Sequence, residues 1–129
     1  MRLLLDTHIW LWILQDPERL GVRVRRELDH PANEFWLSPI STWEALTLNA
    51  KRRIRLHGDL IEWVAQATAP FREAPLTHEI VRVARELPIP QEDPADRFLA
   101  ATAKVLGLTL VTGDRALLGL GDIATLANR

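Results

Sequence analysis

Short apolar runs alternate along the chain with longer segments in which apolar residues recur every three or four positions. The short runs are apolar on both faces, whereas a strand with one face in water alternates apolar and polar residues, so they predict strands buried on both sides. These predicted strands are residues 2–5, 34–38, 74–76, 108–112 and 123–126.

The longer segments have helical spacing, and turn residues mark their ends. Asp16 with Pro17 ends the first, His30 with Pro31 the second, and Gly107 is the expected C-terminal cap of the last long one. The predicted helices are residues 7–15, 18–29, 41–53, 59–69, 77–87 and 94–106, followed by one more helical turn, and residues 88–94 read as a loop. Helices alternating with doubly buried strands predict a three-layer α/β/α sandwich around a mainly parallel sheet of roughly five strands.

Length, net charge and cysteine content restrict the number of domains, the partners and the cellular compartment that the sequence predicts. A length of 129 residues predicts a single domain over residues 1–129. The net charge of −1 gives no overall attraction to nucleic acid, so any basic surface must be local. The chain has no cysteine, which excludes disulfides, thiolate zinc sites and a cysteine nucleophile and fits a reducing compartment. Asp6 interrupts the first apolar run, and no run is long enough to cross a bilayer, so we expect a cytoplasmic protein without a membrane partner.

Acidic residues stand where predicted strands end and predicted helices begin. In parallel α/β folds the carboxyl ends of strands and the starts of the following helices share one edge of the sheet, where ligands bind. The acids expected there are Asp6 after the first strand, Glu44 on the first turn of the third helix, Asp93 and Asp96 around the start of the helix at 94, and Asp114 after the strand 108–112.

Helix capping and metal binding both explain these acids. Ser41 and Glu44 match a capping box, and Asp93 with Pro94 reads as a helix start, so capping accounts for each acid taken singly. Together the acids would repel, because two unit charges about 4 Å apart cost roughly 4 kcal/mol at an effective dielectric near 20. A divalent cation offsets that cost, and ligand sets made only of oxygen suit Mg²⁺ or Mn²⁺.

Three stretches, LLLDTHIWLW, SPISTWEAL and DPADRFLAATAKVLGLTLVTGD, resemble the PIN-domain ribonucleases and, within them, the VapC-type toxins of type II toxin–antitoxin pairs. The resemblance covers nearly the whole chain, in order. It implies a PIN-like fold and an Mg²⁺- or Mn²⁺-dependent endoribonuclease that hydrolyses RNA phosphodiester bonds. The family's metal-binding acids match Asp6, Glu44, Asp96 and Asp114. Asp93 is an additional acid and a further candidate metal ligand.

The resemblance also suggests a role for each residue. Asp6, Asp96 and Asp114 would bind the metal, while Glu44 would orient or deprotonate the attacking water or join the metal ligands. Thr7 and Thr112 are candidate hydroxyls behind the acids, or else ordinary helix-start and strand residues. For two other side chains the alternatives stay open. Arg97 would contact a phosphate or pair with the acids, and a lone histidine such as His8 is more often structural.

Residues 8–14, HIWLWIL, form a helix that is apolar all round, which is typical of a buried helix or of one shared with a partner. Trp10 and Trp12 point to different faces, so we expect one in the core and the other, with Trp43, at an interface. The resemblance implies a cognate antitoxin and a homodimer. Basic runs at residues 23–26 and 51–55 would contact RNA or an acidic antitoxin segment, or simply face solvent.

Two other functions remain open: a non-catalytic PIN-fold binding module whose acids only cap helices, and a DNA-directed PIN-type nuclease. A phosphatase of the haloacid dehalogenase type would need a second Asp where His8 stands.

Overall fold

A parallel sheet forms the centre of the protein in a computed structural model that describes residues 1–89 and 93–129. Within those residues the sheet has five strands: β1 Arg2–Leu5, β2 Glu34–Leu37, β3 Arg72–Glu73, β4 Thr109–Thr112 and β5 Thr125–Ala127. Their order is β3-β2-β1-β4-β5, and every neighbouring pair is parallel. The predicted parallel sheet is therefore confirmed.

Helices connect the strands. They are α1 Thr7–Gln15, α2 Val22–Leu28, α3 Pro39–Ala50, α4 Leu60–Thr68, α5 His78–Glu86, α6 Pro94–Leu106 and α7 Arg115–Leu118, with a 3₁₀ turn at Pro17–Arg19. In the described ranges, no helix is of a length and apolarity that would cross a membrane. Part of the loop predicted at 88–94, residues 90–92, lies outside the described residues.

Two hydrophobic clusters lie on opposite faces of the sheet. Leu3 and Leu5 of β1 pack with side chains of α1 to α4, whereas Leu4 between them packs with side chains of α5, α6 and α7. Successive strand residues point to opposite faces, so β1 contributes to both clusters. This confirms the three-layer α/β/α sandwich and explains why the strands are apolar on both sides.

The helix predicted at 18–29 is interrupted at Gly21. Its backbone N–H donates to the Asn128 side chain at 2.7 Å, and a Cβ atom at Gly21 would lie 2.0 Å from the Arg129 carbonyl carbon. The C-terminal residues therefore pack directly against this glycine, which only a residue without a side chain permits. A contact more than a hundred residues away ends the helix that local sequence predicts.

The start of α3 also differs from its prediction. The helix begins at Pro39, and Ser38 is its N-cap, with the Ser38 hydroxyl accepting the Ile40 N–H at 3.1 Å. Proline is favoured at the first helical position because its fixed φ suits the helix and its missing N–H needs no partner. Glu44 consequently lies on the second turn, and the capping box predicted for Ser41 and Glu44 is wrong.

Candidate active site at the carboxyl edge of the sheet

One cavity at the carboxyl edge of the sheet collects all five acids that the sequence placed there. Its volume is about 310 Å³. The acids come from the ends of β1 and β4, the second turn of α3 and the start of α6. The lining residues are Asp6, His8, Trp12, Glu44, Asp93, Asp96, Gly113 and Asp114.

Asp6 is buried directly after β1. It occupies the N-cap position of α1, but its side chain makes no capping hydrogen bond. Its Oδ2 atom instead accepts a hydrogen bond from the Thr112 hydroxyl at 2.6 Å. Burial raises the pKa of Asp6, and the Thr112 hydrogen bond and the nearby His8 offset part of that rise. Helix capping therefore does not explain this aspartate.

Two threonine hydroxyls support the acids from behind. Besides donating to Asp6, the Thr112 hydroxyl accepts the backbone N–H of Asp114 at 3.0 Å, so it joins the end of β1 to the turn after β4. Thr7 is buried and donates to the Ser41 hydroxyl at 2.9 Å, which ties the start of α1 to α3. The Thr112 hydroxyl thus contacts two of the acids, whereas the Thr7 hydroxyl donates to a serine.

Glu44 and Asp96 face the cavity with unfavourable surroundings for a negative charge. Burial raises the pKa of Glu44, and the charges of Asp93 and Asp6 raise it further. Burial, followed by the charges of Asp93, Asp6 and the other acids, raises the pKa of Asp96 to about 7. In the described part of the chain, Asp96 has no hydrogen-bond or salt-bridge partner. Neither residue caps a helix.

Asp93 and Asp114 behave differently, because each caps the helix that it precedes. The Asp93 carboxylate accepts the N–H of Ala95 at 2.9 Å at the start of α6. The Asp114 carboxylate accepts the N–H of Ala116 at 2.8 Å at the start of α7. Capping therefore accounts for two of the five acids, and both of these also line the cavity.

No Lys or Arg neutralises this cluster within residues 1–89 and 93–129. Every salt bridge found there lies elsewhere in the molecule. His8 is the basic side chain that lines the cavity. Like charges that raise one another's pKa without a counter-charge favour the binding of a cation.

The donor set fits a hydrated divalent cation. It consists of carboxylate oxygens, which suit Mg²⁺ and Mn²⁺. Among the residues that the structure describes, no three His, Asp or Glu side chains already form a metal-binding group. Mg²⁺ keeps several of its waters when it binds to proteins, so part of its contact with the carboxylates that line this cavity would be through water.

Arg97 does not have the role that the sequence suggested. Its guanidinium donates to the carbonyl oxygens of Ala84 and Leu87 at 3.1 Å each and of Ile89 at 2.7 Å. These carbonyls lie at and just beyond the C-terminal end of α5, where a cation is favoured. Arg97 does not line the acidic cavity, and the prediction that it meets a phosphate or pairs with the acids is wrong.

The tryptophans divide as predicted in one respect and differ in another. Trp10 is 0% exposed, and its Nε1 donates to the Ala67 carbonyl at 3.1 Å, so it belongs to the core and not to a partner surface. Trp43 on α3 is 58% exposed. Trp12 is half-buried and forms part of the cavity wall beside His8, a position that sequence reasoning missed. The signal was present, since His8 and Trp12 are four residues apart on one helix and share a face.

The basic runs lie away from the acids. Arg25 donates to the Pro17 and Glu18 carbonyls at 3.2 and 3.1 Å. The arginines of residues 51–55 are exposed and line a separate hollow after α3. Neither run lines the acidic cavity.

Comparisons with known proteins agree with this geometry. The family model of the PIN domain matches residues 3–122. Ribonuclease VapC22 of Mycobacterium tuberculosis is 35% identical over 115 residues, which are 88% of each chain. The fold is similar to that of a chain in the crystal structure of VapBC2 from Rickettsia felis, a structure that also contains a promoter DNA fragment. The TM-score is 0.70 at 16% sequence identity, and the match covers 98% of both chains. A toxin–antitoxin complex from Klebsiella pneumoniae matches with a TM-score of 0.69 and 18% identity, covering 98% of this chain and 97% of the other. This chain therefore belongs to the PIN domain family.

Proposed function

We propose that this chain is a metal-dependent endoribonuclease of the VapC type, the toxin of a toxin–antitoxin pair. The observation that carries the proposal is the cavity in which five carboxylates without a Lys or Arg partner, among the described residues, meet at the carboxyl edge of a PIN fold. Membership of the PIN domain family and 35% sequence identity to Ribonuclease VapC22 support the proposal.

In the proposed mechanism Asp6, Asp96 and Asp114 hold Mg²⁺ or Mn²⁺, in part through water, with Asp93 beside them. When bound, the ion would supply positive charge that stabilises the non-bridging phosphate oxygens and would make a nearby water more acidic. Glu44 orients the attacking water and accepts its proton as the water oxygen bonds to phosphorus, while the bond from phosphorus to one ribose oxygen breaks and that oxygen leaves with a proton from solvent. Burial and the neighbouring carboxylates raise the pKa of Glu44, which makes it a stronger proton acceptor than an exposed glutamate.

The behaviour of three acids argues against a binding module that uses its carboxylates only as caps. Asp6, Glu44 and Asp96 cap no helix, yet burial and mutual repulsion raise the pKa of each. A module without catalysis gains nothing from keeping such charges together.

The test is cleavage of a single-stranded RNA of mixed sequence by the purified protein in Mg²⁺ or Mn²⁺. We expect EDTA to stop cleavage and an excess of Mn²⁺ to restore it. A DNA strand of the same sequence serves as the comparison, and faster cleavage of that strand would favour the DNA-directed alternative. Full activity in EDTA would contradict the proposed mechanism.

The proposal extends to the assembly. We expect a cognate antitoxin, a homodimer and a cytoplasmic location, with residues 1–129 acting as one PIN domain. The exposed Trp43 on α3 and Ile61 on α4, 58% and 83% exposed, are the best candidates for an apolar partner surface. Co-expression with the product of a neighbouring antitoxin gene tests this, because Trp43→Ala should then weaken co-purification while leaving RNA cleavage intact.

A further inference from the structure

We propose that Trp12, with His8 beside it, is a stacking platform for a nucleobase that flanks the scissile phosphate. This inference rests on the proposed ribonuclease function, since it assigns the substrate a position in the same cavity. It moves Trp12 from the partner surface that the sequence suggested to the substrate site.

The geometry that carries it is an aromatic wall within the acidic cavity. His8 and Trp12 both line the cavity that holds the carboxylates, and their ring centroids are 5.9 Å apart with the planes inclined by 31°. Trp12 is half-buried, which leaves part of its ring accessible, whereas the buried Trp10 two residues earlier serves the core. A side chain that is fixed on a helix and lines the cavity can contact a nucleobase at little entropic cost.

A cation extends this wall outward. The Arg19 guanidinium carbon lies 5.5 Å from the centroid of a Trp12 ring, and its Nε is 3.2 Å from an Asp16 carboxylate oxygen. The Arg19 side chain is 63% exposed. His8, Trp12 and Arg19 together form a strip of two aromatic side chains and one cation. It extends from the cavity that holds the carboxylates to the exposed Arg19 guanidinium.

The chemistry of the cavity calls for such a strip. Five carboxylates repel a phosphate backbone, so within this cavity substrate affinity depends on the bound cation and on contacts to the bases. Proteins hold single-stranded RNA by stacking its bases on aromatic rings and arginine planes. Removing one such aromatic residue typically weakens binding by about 5- to 150-fold. A nucleobase is favoured over an antitoxin side chain because Trp12 shares its cavity with the acids, whereas the exposed Trp43 does not line it.

The test compares RNA binding by Trp12 variants in an Asp96→Asn background, which prevents turnover. The probe is a fluorescein-labelled single-stranded RNA, measured by anisotropy in Ca²⁺. A second RNA lacks the bases on either side of the cleavage site mapped with the unmodified protein. We expect Trp12→Ala to weaken binding of the intact RNA at least about fivefold and to leave binding of the abasic RNA unchanged.

Three further variants separate stacking from folding. Trp12→Phe keeps an aromatic face and should retain most of the affinity, whereas Trp12→Leu keeps apolar volume without a ring and should bind like Trp12→Ala. Trp43→Ala is the matched control and should bind RNA normally. In the active protein, Trp12→Leu should raise KM more than it lowers kcat. The melting temperatures of the Phe and Leu variants show that the comparison is made between folded proteins.

Several results would overturn the platform. Equal RNA affinity of the Leu and Phe variants would remove the stacking role, as would equal loss on intact and abasic RNA. Normal RNA binding combined with lost antitoxin co-purification would return Trp12 to the partner surface. An unmodified protein that cleaves no RNA would instead refute the proposed function itself, whereas cleavage with an unchanged KM in Trp12→Leu would refute the platform alone.

Discussion

The two edges of the sheet differ in whether their charged side chains have partners of opposite charge. At the amino edge Arg2 and Glu34 are the first residues of β1 and β2, and Arg72 of the short β3, in register with Trp36, contacts Glu34 through its side chain. One Glu34 oxygen lies 3.9 Å from the Arg2 Nε and 3.7 Å from the Arg72 Nε. All three side chains are exposed to solvent. At the carboxyl edge five acids surround one cavity without a Lys or Arg partner in the described residues.

The contrast shows where this protein gives up stability. Exposed ion pairs such as those of Glu34 contribute about 0–1 kcal/mol and are easily formed wherever opposite charges meet. An unpaired cluster lowers stability, and proteins usually break such local rules only at functional sites. The same fold could have placed arginines at the carboxyl edge, and the absence of a Lys or Arg partner among the described residues supports the proposal that this edge is the active site.

The largest expected difference between the edges is in RNA cleavage. Glu44→Gln removes the proposed base, so cleavage should fall about 100- to 10,000-fold. Asp114→Asn should also lose most activity although asparagine can still cap α7. Glu34→Gln at the amino edge is the matched control, and its activity should be unchanged. Equal activity of Glu44→Gln and Glu34→Gln would show that the two edges do not differ in function.

A divalent metal should stabilise one edge and not the other. A ligand at a hundred times its Kd stabilises a folded protein by about 2.7 kcal/mol. Mn²⁺ should therefore raise the melting temperature by several degrees, measured by calorimetry against EDTA. Asp96→Asn should reduce that increase, and Glu34→Gln should retain it. A melting temperature that does not respond to metal would leave the acidic cavity without a ligand.

Without metal, the repulsion itself should be measurable. Asp96→Asn removes a carboxylate that is partly buried among other acids, so it should stabilise the protein in EDTA by about 1–2 kcal/mol. Water in the cavity screens part of the repulsion and keeps this effect small. The pKa of Asp96 is about 7 in the folded protein, above its ordinary value of 3.8, so the folded state binds the proton more tightly. The stability that this proton contributes is complete below about pH 4 and is lost as the pH rises through about 7.

Urea titrations in EDTA from pH 5 to 8 check this pH dependence. The unfolding free energy of the unmodified protein should decrease over that range, and the slope should be smaller in Asp96→Asn. A stability that rises with pH in both proteins would mean that burial and the neighbouring acids do not raise the pKa of Asp96.

The smallest effect separates capping from repulsion within the cavity. Asp93→Ala removes the N-cap of α6, which should cost about 1 kcal/mol, offset in part by the lost repulsion. Asp93→Asn keeps a capping oxygen and removes the charge, so it should be more stable than Asp93→Ala. Denaturant midpoints in EDTA measure the difference. If Asp93→Ala and Asp93→Asn have the same denaturant midpoint, the Asp93 side chain does not act as a cap.

Much of the fold could be predicted from local sequence. The α6 helix begins and ends where expected, because Asp93 and Pro94 start it and Gly107 ends it with φ 65°. The same signature at Ser38 and Pro39 starts α3, which therefore begins before the predicted start at Ser41. This earlier start places Glu44 on the second turn of the helix and not on the first. These signals involve hydrogen bonds between residues two or three apart, so sequence contains them.

The sequence by itself determined the order of strands and helices and the presence of acids at their junctions. Tertiary structure decided what each side chain does there. Asp6 and Asp114 both stand at N-cap positions, yet only Asp114 caps, because Thr112 on a neighbouring strand takes the Asp6 carboxylate. Arg97 likewise turns to the end of α5 and Trp12 to the cavity. The Asp6 choice depends on a residue distant in the chain, because Thr112 becomes its neighbour only when the sheet order places β1 beside β4, whereas Arg97 depends on how α6 packs against the end of α5.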